Sequence, residues 1–118
     1  MPHQMNNPEL QECARKCYEC ADICHRTATH CLQLGGEHAS AEHQVLLQDC
    51  ADICGTAARF MSRASHHHSL ICRECAELCT ACADDCDRVA NGNQQMEQCA
   101  QVCRKCAQSC EKMAGAGV

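Results

Sequence analysis

The stretch "CRECAELCTACADDC", residues 72–86, holds five cysteines separated by steps of three, four, three and four. That alternation is the spacing of one face of an α-helix, whereas a strand would repeat every second residue. The five thiols therefore stack as one stripe, and whatever fills the interior of this protein is made of sulfur.

The same pattern recurs along the chain. Cys-Ala-x-apolar-Cys occurs as "CADIC" at 20–24, "CADIC" at 50–54, "CAELC" at 75–79 and "CAQVC" at 99–103. Four copies imply four equivalent elements. Around each copy runs a seam of threes and fours: Cys13, Cys17, Cys20, Cys24, Thr27, Cys31; His43, Leu47, Cys50, Cys54, Ala57, Met61; His68, Cys72, Cys75, Cys79, Cys82, Cys86, Val89; and Met96, Cys99, Cys103, Cys106, Cys110, Met113. These are inward-facing stripes of bundle helices, widened by Ile23, Ile53, Ile71, Leu78 and Val102 just before seam cysteines.

Punctuation between the seams agrees. Asn7-Pro8 offers an N-cap followed by proline at the first helical position, and Gly35-Gly36 ends the first helix. Ser40 can cap the second helix, Ser65 or the histidines after it open the third, and Asn93 of "NGN" can cap the fourth. The spacing predicts helices over about 8–33, 41–63, 67–90 and 94–113, with "GAGV" at the end frayed. Short connections make neighbours antiparallel, so the expected fold is all-α: an up-down-up-down four-helix bundle with a Cys-lined core, one domain over 1–118.

Composition sharpens the point about sulfur. Leu, Ile, Val and Phe together number 15 of 118 residues, with no Trp, one Tyr and one Phe, too few to build an ordinary core. Sixteen Cys take their place, since a neutral thiol packs as a small hydrophobe. Net charge is −5, and the ten Lys and Arg are scattered among acids, which excludes a nucleic-acid footprint. "MPHQMNNPELQEC" lacks the basic and apolar regions of an export signal, and no apolar run approaches a membrane span, so the expected location is the cytoplasm. There thiols remain reduced unless metal takes them.

Seven Cys-x3-Cys pairs, 13/17, 20/24, 50/54, 75/79, 82/86, 99/103 and 106/110, place Cβ atoms about 5–6 Å apart. That gap suits two sulfurs gripping one ion and exceeds the roughly 3.5–4.5 Å of an unstrained disulfide. Soft thiolates select Cu(I), Zn(II) or iron–sulfur clusters. Cu(I) accepts two or three thiolates, while tetrahedral Zn(II) needs four converging ligands, which a straight helix does not supply. Charge agrees, because one monovalent ion neutralises one buried thiolate and sets a ceiling of roughly 16 ions, plus a few at His or Met.

The repeated motif on four helices resembles the bacterial copper storage proteins, in particular their cytosolic branch, over roughly residues 9–113. The resemblance implies a homotetramer of four-helix bundles binding many Cu(I) ions, mostly through Cys-x3-Cys pairs; catalysis is not expected, because the thiols repeat with no unique nucleophile among them. Carried over by motif, the ligands are Cys13, Cys17, Cys20, Cys24, Cys31, Cys50, Cys54, Cys72, Cys75, Cys79, Cys82, Cys86, Cys99, Cys103, Cys106 and Cys110. The second helix departs from the family pattern, with Leu47 and Ala57 where thiols would fit.

One end of such a bundle gathers His30, Cys31, His38, His43 and Met96; the other gathers His66, His67, His68, Met61 and Met113. The resemblance implies a single open mouth with non-Cys ligands near the starts of helices 2 and 4, which singles out His43 and Met96. Met61, Met96 and Met113 also read as flexible core plugs. Leu32, Leu34, Val45, Leu46, Phe60 and Leu70 lie off the seams and offer an apolar contact between bundles. Copper ions and a copper chaperone are the expected partners. The rival readings are Zn(II) or Cd(II) buffering, a disulfide-stapled helical protein, and an iron–sulfur carrier, the last lacking the ferredoxin cysteine run.

Overall fold

A computed structural model describes residues 7–116, the side chain of residue 116 excepted. Four helices follow one another: α1 (Pro8–Leu34), α2 (Ala41–Ser62), α3 (His68–Ala90) and α4 (Gln94–Ala116), with a 3-10 turn at Gly36–Ala39 between the first two. Each helix packs on its chain neighbours and α1 also packs on α4, while the diagonal pairs stay apart across the core. This is the expected antiparallel four-helix bundle, drawn out to 53 × 20 × 19 Å.

The helix starts use the expected chemistry. Asn7 Oδ1 accepts from the Glu9 and Leu10 amides, Ser40 Oγ from His43 N at 3.3 Å, and Asn93 Oδ1 from Met96 N at 3.0 Å. Helix α3 differs. Its N-cap residue, His67, makes no side-chain cap, and Ser65 instead accepts from the His67 amide at 3.1 Å. At its far end α1 runs to Leu34 and closes on Gly35, whose φ of 75° only glycine adopts freely and whose N–H reaches Cys31 O. Helix α4 continues to Ala116, so Gly115 is helical, and only the last two residues of the expected frayed tail lie outside the described residues.

All sixteen cysteines are buried free thiols. Beside the cysteine stripes run alanines spaced by seven or fourteen residues, Ala14 and Ala28, Ala51 and Ala58, Ala76, Ala83 and Ala90, Ala100 and Ala107, all buried. Small side chains at that repeat let neighbouring helices close up, which brings sulfurs on different helices within reach of one another. Outside, Arg104 of α4 ties to Asp84 at 3.1 Å and to Asp87 of α3; such exposed pairs add little. Among the described residues no helix is long and apolar enough to cross a membrane.

Candidate metal centre

The α1 seam turns Cys17, Cys20 and Cys24 inward, α2 adds Cys50 and Cys54, α3 adds Cys75 and Cys79, and α4 adds Cys103, Cys106 and Cys110. From these ten thiols come four groups whose Sγ atoms all lie within 4.8 Å of one another: 17/75/106/110, 20/50/54/79, 20/24/50/103 and 54/75/79/106. Each group draws on three helices. Six of the ten sulfurs, Cys20, Cys50, Cys54, Cys75, Cys79 and Cys106, belong to two groups, so the groups form one connected lattice instead of separate cages.

The packing of helices decides the geometry. The shortest approaches run between helices: Cys17 to Cys110 at 3.4 Å, Cys54 to Cys79 at 3.4 Å, Cys20 to Cys103 at 3.6 Å and Cys106 to Cys17 at 3.6 Å. Within one helix, Cys75 and Cys79 stand 3.9 Å apart, and the pairs 20/24, 50/54 and 106/110 share a group. The i,i+4 pair is thus half of a site that a neighbouring helix completes. A single straight helix indeed does not make four thiols converge; convergence arises from packing three helices together. Four-thiol geometry therefore fits a tetrahedral ion as well, and it is the sharing of sulfurs that favours many ions over few.

The sulfurs condition one another electrically. Cys106 is held low chiefly by its hydrogen bonds with Cys110 and Cys17, and Cys54 beside it is pushed up, first by Cys106 itself. A first thiolate in the lattice is stabilised by neighbouring S–H donors and makes the next one harder to form. Without an arriving cation the interior keeps most of its protons, and each cation that enters must displace them.

The remaining six cysteines lie around this lattice. Cys13 is 3.9 Å from Cys110, and Cys99 is 4.0 Å from Cys24. Cys82 and Cys86 are buried side by side on the α3 seam near Cys99, and Cys86 is pushed up by Cys82 and Cys99 together. Cys31 and Cys72 stand at opposite ends, each with a partner that is not cysteine.

At the end where α2 and α4 begin, His43 has no exposed surface. Its Nδ1 lies 2.6 Å from Asp85 Oδ2, and its Nε2 lies 3.3 Å from Cys31 Sγ. An ionised carboxylate only accepts, so Nδ1 donates to Asp85, and in the neutral tautomer Nε2 presents its lone pair to the thiol. Burial works against the charge of Asp85, but the hydrogen bonds from His43 and Arg88 outweigh it and hold the carboxyl below its ordinary range. Burial pushes the Cys31 thiol up to about 11, with the charge of Cys99 adding to it. Cys–His–Asp is the arrangement of a nucleophilic triad, which the sequence did not suggest. Here the thiol is sealed from solvent and raised instead of lowered, the reverse of what a nucleophile requires.

Met96 is fully buried at the same end. Thr27, also fully buried on the α1 seam, takes a hydrogen bond from Gln95 Nε2 at 3.0 Å, and His30 pairs with Asn93 Nδ2 at 3.2 Å. His38, in the 3-10 turn, carries a buried Nε2 with no hydrogen-bond partner among the described residues. At the opposite end, Cys72 Sγ donates to Met61 Sδ at 3.5 Å, and both side chains have no exposed surface. His66 and His67 are exposed there, and His68 is half-buried with Nδ1 donating to Ser65 O at 3.0 Å.

Sequence reasoning missed Asp85. It lies off the seam, between Cys82 and Cys86, and looks like any solvated acid. The available signal was register: on α3 it lies one residue before Cys86, toward the end that α2 begins with His43. Of the off-seam apolar residues, Leu32, Leu34, Val45 and Leu70 are exposed, and Leu46 and Phe60 are half-buried. Tyr18, exposed on α1, was not anticipated.

A family model described as copper storage protein matches residues 6–115. Among curated proteins none matches. Among solved structures, the Nmul_A1745 protein from Nitrosospira multiformis is 41% identical, with 93% of this chain and 98% of that chain covered and a TM-score of 0.87. The Cu(I)-bound copper storage protein BsCsp3 of Bacillus subtilis is 31% identical, with 90% and 98% covered and a TM-score of 0.82. A cytosolic copper storage protein from Streptomyces lividans, solved with five coppers, is 28% identical, with 92% and 93% covered and a TM-score of 0.82. A sulfur lattice enclosed by four helices, matched to that family model over almost its whole length, places the chain: it belongs to the copper storage protein family.

Proposed function

We propose that this chain stores Cu(I) as cargo, holding many ions among the thiolates of its core. The observation that carries the reading is the sharing of six sulfurs between neighbouring four-thiol groups. A shared thiolate bridges two ions, so the lattice accommodates a cluster of monovalent cations that neutralises the thiolates as they form. The ligands assigned are the sixteen cysteines with His43 and Met96 at the end where α2 and α4 begin. That end is the mouth, because imidazole and thioether there meet an incoming ion before the thiols do.

The reading needs no chemistry on copper: the protein takes up Cu(I), releases protons, and returns the ion unchanged. The bundle acts as a single storage unit in the cytoplasm, and the exposed Leu32, Leu34, Val45 and Leu70 supply faces for a homotetramer. A copper chaperone is the natural donor. Zn(II) or Cd(II) buffering is the second reading, favoured by the four-thiol convergence itself.

Anaerobic titration of the reduced protein with Cu(I) against a competing chelator tests the proposal. More than ten ions per chain are expected, with protons released as thiols ionise. Saturation at one or two ions rejects storage, and saturation near four with Zn(II) held against competing Cu(I) supports the second reading.

A further inference from the structure

We propose that Met61 is a metal ligand as well: its thioether and the Cys72 thiolate form a mixed-sulfur site for a cuprous ion at the α2–α3 end of the core. The inference rests on the copper-storage reading and adds a site at the end away from His43. Met61 falls on the α2 seam seven residues after Cys54, one heptad further along the same stripe. Its Sδ faces Cys72 Sγ at 3.5 Å, and neither side chain reaches solvent. Behind Cys72 stand Cys13 and Cys110, themselves 3.9 Å apart, the neighbours that act most strongly on its thiol.

Packing alone does not ask for a thioether here. Where α2 fills its seam without metal chemistry it uses hydrocarbon, Leu47 and Ala57, both fully buried. At position 61 the chain instead aims a soft donor at a thiol, through an S–H···S contact that is a weak bond by itself. Charge explains the choice. One thiolate neutralises one Cu(I), and a thioether adds a second soft donor with no charge, so the pair makes a neutral site in an apolar pocket. The same pair leaves a divalent ion undercompensated, and Zn(II) prefers thiolate, imidazole and carboxylate. Loading involves no redox change: the Cys72 S–H proton passes to buffer as the S–Cu bond forms, and Met61 Sδ adds its lone pair.

Protein labelled with [methyl-13C]methionine, reduced and kept under argon, is titrated with Ag(I) as the spectroscopically silent analogue and then with Cu(I). Met61→Leu, which fills nearly the same volume, identifies the Met61 methyl signal and controls for folding by thermal unfolding. The Met61 methyl is expected to move downfield and stay there at full loading, to stay put with Zn(II), and to lose its response in Cys72→Ser. A Met61 signal that does not move while the thiols fill overturns the site and leaves the storage reading standing. So does a shift that persists in Cys72→Ser. If the protein takes up no Cu(I) or Ag(I) at all, the storage reading falls and this site falls with it.

Discussion

The two ends of the bundle close the same sulfur core with opposite chemistry. Where α2 and α4 begin, the last thiol, Cys31, meets an imidazole backed by a carboxylate that is itself 15% exposed and paired with Arg88. Where α2 ends and α3 begins, Cys72 meets the thioether sulfur of Met61 in place of an imidazole. One end is polar, fixed in orientation by hydrogen bonds and linked through Asp85 to the surface. The other is neutral, held by packing and sealed. On the proposed reading, thiol protons displaced by an arriving ion leave through the first, whereas the second closes the array with a soft, uncharged donor. The difference teaches that the seam alone does not define a ligand set: identical thiol stripes acquire different roles from what stands beside their last member.

The largest expected contrast is in the stability of the metal-free protein. His43→Ala removes a fully buried ring, leaves the Cys31 S–H without an acceptor and takes one of two partners from Asp85. A loss of about 3 kcal/mol follows from combining a cavity with unsatisfied polar groups. Met61→Leu, a volume-conserving exchange within the core, costs less than about 1.5 kcal/mol. Urea unfolding of both reduced variants under argon measures the two losses side by side. If Met61→Leu proves the costlier change, the polar end is not the one held by specific bonds.

A smaller effect separates the ends by pH. Cys31 is raised from 9.0 to about 11 because burial disfavours its thiolate. As the pH climbs past 9 the unfolded chain gives up this proton first, while the folded protein keeps it until near 11. The folded state then binds more protons, so stability falls with rising pH across that window and is complete below it. At pH 10 the loss attributable to Cys31 is about 1.4 kcal/mol, one pKa unit. Stability measured from pH 7 to 10 should fall more steeply for the native protein than for Cys31→Ala. Equal slopes would mean that the thiol beside His43 is not kept protonated by burial.

Most of the bundle was legible because the residues that specify it are local and periodic. Steps of three and four put the stripes on one face, and Asn7, Ser40 and Asn93 announced their helices through side chains suited to capping. The ends of helices were less visible. Nothing near the seam at 113 distinguishes a stop from three further residues of helix, since Gly115 is tolerated there once its neighbours pack. The thiol lattice was hidden for a different reason. Spacing along a helix reports which sulfurs share a face, but the 3.4–3.6 Å approaches depend on how closely helices pack, and that is set by alanines that carry no metal signal. Asp85 lay beyond reach for the same reason, its role existing only once α3 is laid against the start of α2.

The smallest effect tests Asp85 itself. Asp85→Asn keeps the shape, and the amide oxygen can still accept from His43 Nδ1, so only the charge of the hydrogen bond is lost, along with the exposed pairing to Arg88. Metal-free stability should therefore drop by about 1 kcal/mol, roughly the difference between a charge-assisted and a neutral hydrogen bond. The amide can also rotate and donate, which would let the ring carry its proton on Nε2 and turn the lone pair away from Cys31. Binding of the first Cu(I) equivalent should weaken by about tenfold, the size expected when the partner that orients a ligand is removed, while total capacity stays the same. Competition with a chelator at substoichiometric copper reads that affinity, and saturation reads capacity. Unchanged first-equivalent affinity would show that copper meets the bundle elsewhere, and the polar end would then be a structural plug.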